Sequence, residues 1–256
     1  MALQKTDTAP DNKYAVEVED LTVAYNIKPV LWDIDLKIPK GSLMAVIGPN
    51  GAGKTTLIKA ILDIIPKVSG SVKFFGQEHV QRNTIAYVPQ SGSVDWDFPT
   101  TVLDVVTMGR YASLGWFKRP GRKDRQLAIE ALQKVDMQDF KVRQISELSG
   151  GQQQRVFLAR ALAQDASIYF MDEPFKGVDA KTEQTIVEQL KDLKHNGKTV
   201  IVVHHDLRSA PAYFDYVAFI NMKLVACGTM DECFNQENID RAYQTACDLA
   251  KGAVGL

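Results

Sequence analysis

Apolar and polar residues alternate over residues 14–19 (YAVEVE) and 30–38 (VLWDIDLKI), the two-residue period of strands with one buried face, and predict an antiparallel pair near the start of the chain. An apolar run at 43–47 (LMAVI) then leads into a glycine-rich stretch. Beyond it Leu57, Ile61 and Ile64 recur at helical spacing and predict a helix over 54–65, so that this part reads as a strand, loop, helix unit. Further on, SIYFM (167–171) and TVIVV (199–203) are apolar without alternation, as strands buried on both faces are. Between them Ile186, Leu190 and Leu193 mark one face of a helix. After Asp206 the pattern predicts two short strands, 216–221 and 224–227, and two short helices.

The middle of the chain breaks this alternation. Helical spacing dominates 101–111, 123–135 (with Leu127, Ala131 and Val135 in register) and 151–164. A helical subdomain, about 92–163, inserted into an α/β core accounts for the change, with 92–99 and 144–149 as its connections. The expected fold is α/β: a core with a mostly parallel sheet covered on both faces, an N-terminal antiparallel β subdomain and the inserted helices. The expected organisation is a polar N-terminal tail, 1–13, followed by one domain over 14–256.

Composition narrows the class. With 256 residues, 45% of them hydrophobic and 24% charged, the chain can bury one large core. A net charge of −1 and a pI near 6.4 give no global drive toward nucleic acid or anionic lipid. The first thirteen residues lack an apolar leader core, and no apolar run approaches the ~18 residues that span a bilayer, so a cytoplasmic location is expected. Cys227, Cys233 and Cys247 are odd in number and lack C-x-x-C spacing, which fits reduced packing residues and no zinc site.

Two glycine-rich stretches carry the chemistry. GPNGAGKTT at 48–56 has the G-x-x-x-x-G-K-[ST] spacing of a phosphate-binding loop, whose backbone N–H groups close around an anion at a helix start. Lys54 would place its ammonium on the β- and γ-phosphates, and the Thr55 hydroxyl would ligate Mg²⁺. LSGGQQQR at 148–155 offers further N–H groups at another helix start, so the pair suggests one nucleotide gripped from two sides. IYFMDE at 168–173 ends a buried strand with two adjacent acids, expected to point in opposite directions: Asp172 toward the Mg²⁺ shell and Glu173 toward the attacking water as general base. Gln90 lies at a third strand exit and could bring its amide oxygen to Mg²⁺ or water. His204, His205 and Asp206 follow a strand on which neighbours diverge. One histidine facing the γ-phosphate is therefore expected, in place of a metal cluster.

In order, GPNGAGKTT, YVPQ, LSGGQQQR, IYFMDEP, GVDA and VVHHDL resemble the motifs of the ATP-binding cassette (ABC) ATPases, a resemblance that covers nearly the whole chain. It implies a P-loop core with an inserted helical subdomain, with ATP and Mg²⁺ as ligands. Tyr25 would stack on adenine, and Gly48, Pro49, Asn50, Gly51, Ala52, Gly53, Lys54, Thr55 and Thr56 would hold the phosphates. Gln90 would sense Mg²⁺ and the γ-phosphate. Ser149, Gly150, Gly151 and Gln152 would bind the nucleotide of an opposite subunit in a homodimer, and Asp179 would contact that subunit. Asp172 and Glu173 would be metal-shell acid and base, and His205 the switch histidine. Lys176 departs from the small residue many relatives carry there, and a solvated side chain is expected.

Residues 91–117, SGSVDWDFPTTVLDVVTMGRYASLGWF, are more narrowly similar to cassette subunits of bacterial manganese, zinc or iron importers, most of all the manganese members. That resemblance implies a membrane permease as direct partner and an extracytoplasmic metal receptor as indirect one, with no nucleic acid. It places the chain at the inner face of the membrane. Asp95, Trp96 and Phe98 suit a groove for the permease, or else Trp96 and Phe98 are core aromatics. The basic run at 118–125 reads as a solvated loop. A soluble ABC protein without a transport role, such as an iron–sulfur assembly factor, is the rival expectation.

Overall fold

The computed structural model describes residues 13–25, 28–81, 83–90, 98–114 and 118–243. The alternating segments near the start form β1 (Tyr14–Tyr25) and β2 (Lys28–Pro39), longer than the pattern indicated, paired antiparallel from Tyr14 opposite Pro39 to Tyr25 opposite Lys28. The sequence pattern missed a third strand of this sheet, β4 (Ser69–Phe74), which pairs antiparallel with β1. Its opening Ser-Gly-Ser conceals the alternation.

Between them lies β3 (Leu43–Ile47), buried at every position, at the heart of a second, six-stranded sheet. The sheet runs β5 (Ile85–Val88), β6 (Ile168–Asp172), β7 (Thr199–Val203), β3, β8 (Tyr216–Asn221), β9 (Lys223–Thr229). All neighbours are parallel except β8 and β9. Successive side chains of a strand face opposite sides, so one apolar run feeds two cores. Leu43, Ala45 and Ile47 pack with the helical side of the sheet, whereas Met44 and Val46 pack with the antiparallel strands and α1 (Lys54–Ile61).

Helix α1 stops at Ile61, short of the expected residue 65. Leu62 caps it, Asp63 turns left-handed at φ 57°, and Ile64 is 53% exposed and off the core face. Between β5 and β6 the chain is helical, with α2 (Val102–Met108), α3 (Tyr111–Leu114), α4 (Arg122–Lys134) and α5 (Gly150–Gln164). The single helix expected over 101–111 breaks at Gly109, where a Cβ would stand 2.2 Å from the carbonyl oxygen of Arg160; only glycine permits that approach of α2 to α5. On α4 the buried face is Ala128, Ala131 and Leu132, continued by Val135, with Leu127 only half-buried at its edge.

The α6 helix (Ala180–His195) buries Ile186, Leu190 and Leu193 as expected. Beyond it come α7 (Ala210–Tyr213), ahead of the last two strands, then α8 (Met230–Cys233) and a helical stretch over 236–243. Cys227 and Cys233 are free thiols, half-buried, while Cys247, the tail over 1–12, Asp95 and Trp96 lie outside the described residues. Phe98 is 61% exposed and is not a core aromatic.

Candidate active site

Strand β3 delivers the chain directly into the glycine-rich loop. A Cβ on Gly48 would lie 2.0 Å from the carbonyl oxygen of Ile220, so the loop can pass over β8 only as glycine. Gly51 and Gly53 take φ of 80° and 92°, and Gly53 starts α1 without any side chain capping it. The helix N-terminus and its N–H groups therefore face a cleft of about 220 Å³ lined by Val30, residues 50–56 and Glu173. Lys54 lies buried within the loop and donates to the carbonyl oxygens of Gly48 (2.7 Å) and Pro49 (2.8 Å). Burial lowers its pKa, while the charges of Glu173 and Asp172 act to raise it. An anion with several acceptor oxygens suits this cradle. Gly48→Ala is expected to displace the loop and weaken ATP binding at least about tenfold by overpacking; equilibrium titration with ATP, beside a thermal melt, measures it.

The end of β6 brings Glu173 to the same cleft and places Asp172 behind it, against Thr55. Thr55 Oγ1 donates to Asp172 Oδ1 at 3.0 Å, and the other oxygen, Oδ2, is buried without a hydrogen-bond partner. Burial pushes the Asp172 carboxyl above its ordinary range, opposed by the Thr55 hydrogen bond and reinforced by the charge of Glu173. A buried carboxylate oxygen with no donor beside a hydroxyl is what a hard cation such as Mg²⁺ fits.

Glu173 corrects a sequence expectation. Adjacent strand residues should diverge, yet Glu173 leaves the strand in the left-handed region at φ 51°. Its carboxylate thereby stays beside the cleft, and both acids act on Lys54. Glu173 Oε2 accepts from Gln90 Nε2 at 2.7 Å and faces Lys176 Nζ at 3.1 Å. Lys176 is exposed, as expected, and the turn after β6 also folds it back as an ion-pair partner of Glu173.

The second glycine-rich stretch opens α5. Ser149 Oγ accepts from the N–H of Gln152, and Gln152 Oε1 accepts from the N–H of Ser149, a reciprocal cap that leaves the serine O–H free to donate. Gly150 has open space where a Cβ would be, and Gly151 faces Val178. Asp179 caps α6 by accepting from Thr182 N–H at 2.7 Å. Ser149, Gly150, Gly151, Gln152 and Asp179 do not line the cleft of their own chain's loop.

The two histidines part. His204 is buried among the rings of Phe175, Tyr213 and Phe214, its Nε2 2.9 Å from Ser209 Oγ, and burial together with neighbouring His205 pushes its pKa down to about 4. It is neutral and buried, whereas His205 is exposed. Tyr25, at the end of β1, presents a half-exposed ring.

The profile of the family described as ABC transporter matches residues 31–176, more than half of the chain. A zinc transport system ATP-binding protein, TroB, of Treponema pallidum is 59% identical over 90% of this chain and 87% of its own length. The manganese transport system ATP-binding protein MntB of Bacillus subtilis is 56% identical over 90% of this chain and 92% of its own. This chain belongs to the ABC transporter family. Among solved ABC structures, an inward-facing conformation of a metal-chelate type transporter superposes with a TM-score of 0.79 at 28% identity, covering 90% of this chain and 88% of that one. An ATP-binding cassette in a dimeric post-hydrolysis state with ADP and Pi superposes at 0.73 and 27% identity, over 84% of this chain and 98% of its own.

As an ABC chain, the protein has a nucleotide-binding fold. No helix among its described residues is long and apolar enough to cross a membrane. Sequence reasoning missed two participants of the site: Val30 on β2, which lines the cleft, and Lys176. An i,i+3 acid–lysine spacing in EPFK was the available signal for the second.

Proposed function

We propose that this chain is the ATP-hydrolysing motor subunit of a metal-ion importer, with manganese as cargo, working as a head-to-tail homodimer at the inner face of the membrane beneath a separate permease. Its working unit is a single domain, 14–256, with the helical portion at about 92–163 as the part that meets the permease and the opposite subunit. The observation that carries the catalytic reading is a cleft lined by Lys54, Thr55 and Glu173, with Asp172 hydrogen-bonded to Thr55 and Gln90 to Glu173 directly behind them.

The loop over 48–56 holds the phosphates, with Lys54 moving from its carbonyl partners to phosphate oxygens, and Tyr25 stacks on the adenine. Thr55, Asp172 and Gln90 would hold Mg²⁺, which when bound draws charge from the phosphates. Glu173 accepts the proton of the attacking water, and His205 donates toward the γ-phosphate. Ser149, Gly150, Gly151 and Gln152 close on the nucleotide of the partner, and Asp179 meets the partner across the interface. Hydrolysis reopens the sandwich, and Gln90 passes that change to the adjoining segment and the permease.

Relatives named for zinc and manganese transport support metal import over the iron–sulfur assembly alternative, and several of the named relatives are manganese systems. Reconstitution with its permease and metal receptor tests this. ATP hydrolysis by the complex should rise several-fold with Mn²⁺-loaded receptor, and Mn²⁺ should accumulate in the vesicles. Equal stimulation by empty receptor would contradict the reading, and stimulation by Zn²⁺ alone would replace manganese with zinc.

A further inference from the structure

Lys176 has no part in the mechanism above, and its placement is specific. The turn after β6 runs Glu173, Pro174, Phe175, Lys176 and is closed by the Lys176 N–H donating to the carbonyl of Glu173 at 3.2 Å. Pro174 fixes one backbone angle, and the nearly buried Phe175 ring anchors the turn edge-on against His204, with centroids 5.3 Å apart at 83°. The turn thereby delivers the lysine back to the acid that begins it. Glu173 is held in the left-handed region, an uncommon conformation for a side-chain-bearing residue that persists only where its surroundings impose it.

The donors to this carboxylate divide into two kinds. Gln90 and Lys176 both meet Oε2, so neither of them occupies Oε1. In the mechanism proposed above, Gln90 turns to the nucleotide and its Mg²⁺, which removes the shorter of the two contacts. Lys176 lies on the same short turn as Glu173 and does not depend on Gln90. Its side chain is 57% exposed against 15% for Glu173, so the lysine reaches inward from solvent to a largely enclosed acid.

We infer that Lys176 is a positioning residue for hydrolysis: its ammonium keeps the Glu173 carboxylate oriented toward the attacking water while Gln90 is engaged elsewhere. This rests on the reading of Glu173 as general base. A partly exposed ion pair is modest, and its loss should cost roughly two- to fivefold in rate.

The test uses the full chain with Lys176→Met, which keeps most of the stem and removes the charge, and Lys176→Arg, which keeps the charge. The Met variant should lose two- to fivefold in kcat with KM unchanged. Its affinity for a fluorescent ATP analogue and its melting temperature should match the parent. The Arg variant should retain kcat. In a Glu173→Gln background, Lys176→Met should leave the residual single-turnover rate unaltered, because the lysine then has no carboxylate to hold. An unchanged kcat in Lys176→Met, an equal loss in the Arg variant, or the same loss in the Glu173→Gln background would each overturn the inference. Parent-like turnover by Glu173→Gln alone would instead refute the base, a result distinct from all three.

Discussion

Glu173→Gln protein is expected to bind MgATP with unimpaired affinity, hydrolyse it at least about a hundredfold more slowly, and accumulate as an ATP-bound dimer. The magnitude is that of a lost general base, about 10²- to 10⁴-fold. The substitution is nearly isosteric, and the amide oxygen can still accept from Gln90 Nε2, which lies 2.7 Å from the carboxylate in the parent. The phosphate loop is untouched, since Lys54 donates its hydrogen bonds to the carbonyl oxygens of Gly48 and Pro49. What disappears is proton acceptance, so the sandwich closes and does not reopen. Single-turnover hydrolysis beside size-exclusion chromatography with ATP reads both halves, and parent-like turnover would remove Glu173 from the mechanism.

The second large effect concerns assembly. Within one chain the cleft over the phosphate loop is lined by Val30, residues 50–56 and Glu173, and the start of α5 contributes nothing to it. Yet α5 begins as an anion site would: Ser149 and Gln152 cap each other, the serine O–H remains available, and Gly150 leaves open space for a ligand to approach the backbone. On the reading proposed here, one chain carries two half-sites that a second copy brings together. Hydrolysis by the isolated chain should depend steeply on concentration, with the rate per molecule falling about tenfold for each tenfold dilution once monomer dominates, by simple mass action. ATP binding to the loop of the monomer should persist.

Much of this was legible in the sequence, for reasons that particular residues make plain. The apolar runs at 167–171 and 199–203 read as strands buried on both faces, and their alternate residues feed two cores. The phosphate loop was readable because its glycines answer to backbone geometry, as the 2.0 Å approach at Gly48 shows. Long-range contacts were not readable. Gly109 splits a helix because of Arg160, fifty-one positions away, and α1 ends early because Asp63 turns left-handed. The same limit applied in the site. Adjacent acids on an ideal strand diverge, but Glu173 leaves the strand left-handed and the charges of both acids act on Lys54, while the turn that follows brings the still exposed Lys176 to Glu173.

The most direct test of the two-chain ATP site is the hydrolysis rate per molecule of the isolated chain across a dilution series, with sedimentation reporting the monomer fraction at each point. The per-molecule rate is expected to follow the dimer fraction toward zero while ATP remains bound to the monomer. A per-molecule rate that holds constant down to concentrations where only monomer sediments would contradict it.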